Sequence, residues 1–215
     1  MEISAIYKKY KIIPFLQIHM YRVAGVALYI CQNLKEKIPT GNVISACLLH
    51  DMGNILKFDF TIFPEVFEPE GISYWQKVKT EFSQKYGEDE HTATLAIAKE
   101  IGVSQKTYEY LLSIGFSKIA QTFASSDLGK YIPTYADMRV SPHGVVSIEE
   151  RLAEGHKRYA NSKRPFVGKE FFEENKARLY EMEKDIFSKT TIAPESITPE
   201  AIYPLLGDLK NFNIV

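Results

Sequence analysis

Two apolar runs with a helical period lie close together near the start of the chain, and the second closes on an adjacent His50-Asp51 pair. The first run, Pro14 to Leu34, repeats Phe15, Ile18, Arg22, Val23, Val26, Ala27 and Ile30 at the three-to-four spacing of an amphipathic helix. Those positions are expected to face a core, with His19 near the same stripe. The second run, Asn42 to Leu49, sets Val43, Ala46, Cys47 and His50 at i, i+3, i+4 and i+7. His50 therefore ends a buried stripe, and Asp51 lies one step round the helix. A lone ionised carboxylate beside Leu48 and Leu49 is costly to take out of water, and a cation removes that cost. Imidazole and carboxylate together suit a divalent first-row metal. The plainer reading is a core histidine, with Asp51 capping the next turn, Gly53 breaking the helix and Asn54 bonding locally. Spacing alone leaves both readings open.

Asp137, far downstream, supplies a third point. The stretches IHMYRVA around His19, CLLHDMGN around His50-Asp51 and YADMRV around Asp137, in that order, resemble the HD-domain superfamily of metal-dependent phosphohydrolases. That family carries the pattern H…HD…D on an all-helical scaffold, and the resemblance spans roughly Phe15 to Arg151. It implies that His19, His50, Asp51 and Asp137 ligate one divalent ion, with Mn, Co, Fe, Mg, Ni and Zn not distinguished. His91 occupies a place similar to the extra histidine of some binuclear members, which would allow a second ion. Equally, Gly87 to Glu90 start a helix whose dipole favours their acids, and His91 only faces the cleft.

The implied chemistry is attack of an activated water on phosphorus, with Asp51 or Asp137 orienting or deprotonating it. Cations would offset the charge on phosphate: Arg22 first, three residues after His19, then Lys57, then Arg139. Asp127, in ASSDLGK, is a rival carboxylate whose setting reads as a helix end. His143 sits in a turn-like Pro-His-Gly segment and His156 on an exposed-looking face. Neither is a preferred ligand. One departure stands out, because several subfamilies carry Lys or Glu where this chain has Asn54. Asn54 serves as neither acid nor base, and Lys57, Asp59 or Glu65 would have to substitute. No GYP-like motif follows the HD pair, which argues against the cyclic-di-GMP phosphodiesterase branch. The expected activity is hydrolysis of a nucleotide or related small phosphate ester. The alternative is a noncatalytic HD module that keeps the metal for structure or ligand sensing.

Helical patterns continue through Tyr74 to Tyr86, His91 to a stop at Gly102, Gln105 to Ile114, Ser117 to Ser125, Ser147 to Asn161 and Lys169 to Ser188. Ser147 and Glu150 have capping-box spacing, and Thr198-Pro199-Glu200 reads as another helix start. Phe58 to Gly71 lacks a steady period and is expected to loop. Its Phe58, Phe60, Phe63 and Phe67 are expected to pack the loop down rather than stack on a base.

The fold expected is all-α, a single HD-type helical bundle over the whole chain, with a motif-bearing core at about residues 14–160 and a helical extension at about 165–215. At 215 residues and 45% hydrophobic the chain can bury one substantial core. A formal charge of −1 gives no reason to expect nucleic acid, although Lys157-Arg158 and Lys163-Arg164 form local basic clusters. Cys31 and Cys47 lie in apolar runs without CxxC spacing and read as small buried hydrophobes in a reducing, cytoplasmic setting. No apolar stretch reaches the roughly twenty residues needed to cross a bilayer, and MEISAIYKKYK lacks a signal-peptide core. The C-terminal segment is also where a homodimer contact would form.

Overall fold

The computed structural model describes residues 1–60, 67–160 and 168–215, with side chains at 158–160 excepted. Helices α1 (Ile3–Lys9), α2 (Pro14–Gln32) and α3 (Thr40–Leu49) come first, followed by a 3-10 turn at Asn54–Lys57. After the aromatic loop come α4 (Ile72–Tyr86), α5 (Glu90–Ile101), α6 (Gln105–Leu111), α7 (Ile119–Ala124) and α8 (Leu128–Asp137). A small antiparallel hairpin pairs β1 (Val140–Ser141) with β2 (Gly144–Val145) across a turn at Pro142 and His143. Then come α9 (Ile148–Ala160), α10 (Lys169–Ser188), and the short α11 (Pro199–Ile202) and α12 (Leu206–Leu209), which flank a 3-10 turn at Tyr203–Leu205. Among the described residues the fold is all-α apart from that hairpin and two isolated β-bridges, Glu2 with Asn213 and Leu34 with Thr190.

Local signals set the boundaries. Asp89 caps α5 by accepting from Thr92 N, and Gly102 ends it in the left-handed conformation at φ 78°. Ser147 Oγ accepts from Glu150 N at 3.1 Å, while Glu150 Oε2 accepts from Ser147 N at 2.8 Å, a complete capping box. Thr198 caps α11 with Pro199 in its first turn. The helix bearing Asp137 is capped by Asp127, whose carboxylate accepts from Gly129 N at 2.9 Å. That bond is the local role expected of Asp127, and Lys106 lies 3.8 Å from the same carboxylate.

The long α2 is the central helix. It packs on α3 and α8, on the hairpin, and on α11 and α12 from the C-terminal segment. A Cβ at Gly25 would stand 2.8 Å from Ile202 and 2.9 Å from Leu206, so only glycine lets that segment come so close. Being packed on several sides, α2 follows the expected stripe only in part. Val23, Val26, Ala27 and Ile30 are buried as expected, and so are Leu16, Met20 and Ala24, whereas Ile18 is 46% exposed and Phe15 only half-buried. A periodic pattern read with one core face misplaces residues on a helix with neighbours all round.

In the aromatic loop, Phe67 is fully buried and takes Phe58 and Phe60 edge-on, with ring centroids 5.8 and 4.9 Å away. Trp75 Nε1 donates to the Phe67 carbonyl at 3.0 Å. These rings pack the loop down as expected. Phe63 and Glu65, like the basic pair Lys163-Arg164, lie outside the described residues. Cys31 and Cys47 are free thiols, and burial pushes the Cys31 thiol up to about 12. Among the described residues no helix is long and apolar enough to cross a membrane.

Candidate metal centre

The end of α3 builds the centre. The last carbonyls of a helix have no intrahelical donor. Here the Cys47 carbonyl lies 2.8 Å from His50 Nδ1, and the Leu48 carbonyl takes the Tyr7 hydroxyl at 2.6 Å. The first contact fixes the imidazole with Nε2 turned away from its own helix, as second contacts orient metal-binding histidines. The chain then turns through Asp51, Met52 and Gly53, and Gly53 N donates to Thr94 Oγ1 at 2.9 Å. Gly53 lies so close to the first turn of α5 that a Cβ there would overlap the Glu90 carbonyl oxygen. Glycine at this position is what lets α5 approach the HD turn.

Four side chains from three helices meet at this point. His19, from α2, places Nε2 3.7 Å from Asp51 Oδ2 and 3.3 Å from Asp137 Oδ1. His50 Nε2 lies 3.6 Å from Asp51 Oδ2 and 3.4 Å from Asp137 Oδ1. The two rings tilt against one another with centroids 5.3 Å apart, and ligand atoms of His19, His50 and Asp51 all lie within 4.8 Å of one another. Ligands ~2.1 Å from a common ion stand ~3.0 to 3.4 Å apart for right-angled and tetrahedral pairs; the contacts to Asp137, at 3.3 and 3.4 Å, fall in that range and those to Asp51, at 3.7 and 3.6 Å, lie just beyond it.

The electrostatics ask for a cation. His50 Nε2 is buried with no hydrogen-bond partner, being near Asp137 but not aligned with it. Burial alone would lower the His50 pKa, yet the Asp51 and Asp137 carboxylates outweigh it and push the imidazole up to about 9. Burial would likewise raise Asp137, but the hydrogen bond from His19 and the charges of His50 and His19 hold it well below the ordinary carboxylate range. Without an ion, a proton on His50 takes the place of the positive charge between two carboxylates. An orphaned imidazole nitrogen facing two carboxylates in a nearly dry pocket fits a divalent metal on donor chemistry as well as distance.

The other sequence candidates make contacts of their own. His91 is half-buried on the first turn of α5, and its Nε2 is buried without a hydrogen-bond partner. Its pKa is lowered by burial, then by the charge of Lys118. Among the described residues it is not part of the group around His19, His50 and Asp51. Lys57 pairs with Glu90 at 3.5 Å. Arg22 lies with its guanidinium 5.7 Å from the centre of the Tyr203 ring. Asn54, where subfamilies carry Lys or Glu, is buried at the start of the 3-10 turn.

Arg139 does not serve as a phosphate cation. It is buried, and its guanidinium donates to the Val146 carbonyl at 2.6 Å, the Tyr135 hydroxyl at 2.5 Å, and the Pro194 and Ile197 carbonyls at 3.2 and 3.1 Å. Two residues beyond Asp137, it ties the hairpin and the C-terminal segment to the end of α8. Neither the reach of Arg139 to Pro194 and Ile197 nor the placing of Tyr203 beside Arg22 leaves a local sign in the sequence, since each joins residues more than fifty positions apart.

No curated protein and no solved structure matches the chain significantly. Residues 18–111 match the family model described as the HD domain, a segment that contains His19, His50, Asp51 and His91 and stops short of Asp137. That segment is thus similar to the HD domain, and the helical scaffold around it gathers a His/Asp cluster able to hold a metal.

Proposed function

We propose that His19, His50, Asp51 and Asp137 hold one divalent cation and that the protein hydrolyses a phosphate ester, with a nucleotide as the favoured substrate. The observation that carries this reading is the buried, partnerless Nε2 of His50 set 3.6 and 3.4 Å from two carboxylate oxygens contributed by separate helices. Such a nitrogen costs stability unless a ligand occupies the space in front of it.

When bound, a divalent ion supplies Lewis acidity, polarising a phosphoryl oxygen and making water a competent nucleophile at neutral pH. The residues of the chain do the rest. Asp51 and Asp137 hold the attacking water in line, and one of them accepts its proton as the new oxygen-phosphorus bond forms. As the ester bond breaks, that proton passes to the leaving oxygen. Arg22, one helical turn beyond His19, offsets negative charge on the phosphoryl oxygens. Lys57 adds to this once it leaves Glu90. Asn54 orients rather than transfers protons. His91 contributes a neutral imidazole at the edge of the cleft. Burial and the charges of Lys118 and Lys57 favour that neutral form, against Asp89 and Glu90.

Phosphate release from a nucleotide panel with Mn²⁺, Co²⁺, Fe²⁺ or Mg²⁺ tests the reading. Turnover that is lost in His50→Ala supports it, and turnover unchanged by that substitution overturns it. Asn54 also favours a second reading, a noncatalytic sensor. Metal and nucleotide binding with no hydrolysis across a broad phosphate library would support the sensor instead.

A further inference from the structure

Asp51 stands beyond the last residue of α3, where intrahelical bonds no longer fix the backbone. Two contacts close the turn on itself: Met52 N donates to the Leu49 carbonyl at 3.2 Å, and Asn54 N to the Asp51 carbonyl at 3.0 Å. The amide between them leaves the turn. Gly53 N donates to Thr94 Oγ1 at 2.9 Å, and the Thr94 hydroxyl donates to the Glu90 carbonyl, one turn earlier in α5, at 2.9 Å. An amide only donates, so the single hydroxyl proton goes to Glu90 and the relay has one polarity. A threonine that bonds the carbonyl four residues back is ordinary in a helix. Thr94 differs because its oxygen also takes an amide from another element, 41 positions away. Thr94 is 2% exposed, and the two backbones close up at Gly53, where an added Cβ would stand 2.9 Å from Thr94 N. Valine would fill the same space without an acceptor, leaving the Gly53 amide buried and unpaired. The same turn of α5 carries Glu90, whose carboxylate pairs with Lys57 at 3.5 Å at the far end of the 3-10 turn. That pair is part-exposed and holds weakly, which leaves the Thr94 relay as the buried tie.

We infer that Thr94 is a positioning residue of the metal centre: through Gly53 its hydroxyl fixes the turn that carries Asp51 and so sets the affinity for the ion. This rests on the reading of His19, His50, Asp51 and Asp137 as a metal centre. Asp51 has the longer separations of the two carboxylates, 3.7 Å to His19 and 3.6 Å to His50, against 3.3 and 3.4 Å for Asp137. Metal–ligand distances tolerate about 0.2 Å, so a turn that drifts outward takes this carboxylate out of reach first. His50 is held separately, by the Cys47 carbonyl of its own helix. Loss of the Thr94 hydroxyl therefore acts on Asp51 and leaves the imidazole in place.

The test compares the full-length wild type with Thr94→Val, Thr94→Ser and Thr190→Val. Thr190 is 4% exposed, and its hydroxyl donates to the Phe187 and Ile192 carbonyls at 3.1 and 2.8 Å. It bridges to Leu34 just past the end of α2, whose last residue, Gln32, stands about 20 Å along the axis from His19. Thr190→Val thus removes a buried hydroxyl far from the centre. Both valine variants should melt a few degrees below wild type. Only Thr94→Val should weaken Mn²⁺ binding, read by calorimetry, by about 10- to 100-fold, and Thr94→Ser should restore it to within about twofold. Amide exchange followed by NMR on the ion-free protein gives a readout without metal. The Gly53 amide should exchange about tenfold faster in Thr94→Val and at the wild-type rate in Thr190→Val. Thr94→Ala removes the same acceptor with less bulk and carries the same expectations where the valine does not fold. Mn²⁺ affinity that falls equally in both valine variants or in neither, a serine that fails to restore it, or a Gly53 amide indifferent to Thr94→Val would overturn the inference. A wild type that binds none of Mn²⁺, Co²⁺, Fe²⁺ and Mg²⁺ would defeat the metal reading and this inference together, whereas wild-type binding that Thr94→Val leaves unchanged defeats this inference alone.

Discussion

The charge state of His50 makes metal binding a proton-exchange reaction, and its size follows from the site. The imidazole is pushed up to about 9 by Asp51 and Asp137 against the opposing effect of burial, whereas an unfolded histidine titrates near ~6.5. An ion entering below pH ~9 must therefore displace a proton from Nε2, and apparent affinity changes about tenfold per pH unit. Between about pH 7 and 8.5, Mn²⁺ affinity should rise by about 30-fold, with about one proton released per ion. In the ion-free protein the sign reverses. A pKa raised on folding gives stability that is complete below ~6.5 and is lost as the pH climbs through about 9, here about 3 kcal/mol at most. The depressed Asp137 pKa reports the other end of the same ion pair and is counted once. Calorimetric Mn²⁺ titrations in two buffers of different ionisation enthalpy measure the protons released, and thermal melts with and without metal from pH 6.5 to 9 measure the stability. Over that range the melting temperature should fall without metal, and the stabilisation gained on adding metal should grow. An affinity flat with pH and no proton release would refute the electrostatic account.

Three further outcomes are expected. Asp137→Asn removes one carboxylate with little change of shape, and should cost about 100-fold or more in Mn²⁺ affinity while far-ultraviolet circular dichroism stays unchanged. Gly53→Ala forces a methyl against the Glu90 carbonyl and within 2.9 Å of Thr94 N, and should destabilise by about 2 kcal/mol, seen as a melting temperature about 4 to 8 °C lower. Arg139→Gln strips donors from the Tyr135 hydroxyl and from the Val146, Pro194 and Ile197 carbonyls, and should cost about 3 kcal/mol in denaturant unfolding. A wild-type denaturation midpoint in that variant would show that the clamp is dispensable.

Much of the architecture could be read along the chain because its signals are local. Asp89 and Gly102 bound α5, Ser147 and Glu150 open α9, and Asp127 caps α8, each through contacts within a few residues. The HD pair at the end of an apolar run was legible for the same reason: it is one turn of one helix. Exposure on α2 was not, because Ile18 lies on the periodic stripe and Leu16 off it, yet the neighbours that arrive bury Leu16 and leave Ile18 open. Arg139 reads as a spare cation beside Asp137, and only the fold surrounds it with the carbonyls of Pro194 and Ile197.

The sequence alone thus determined an all-helical chain that carries imidazole and carboxylate at the ends of apolar stripes, since periodicity, caps and the H…HD…D order are properties of neighbouring residues. The tertiary structure decided that His19, His50, Asp51 and Asp137 lie within 3.7 Å of one another's partners across three helices, and that Tyr203 stands beside Arg22. The physical reason is that such contacts depend on how helices cross and how closely backbones approach at Gly25 and Gly53, and close packing fixes those quantities only for the whole molecule at once.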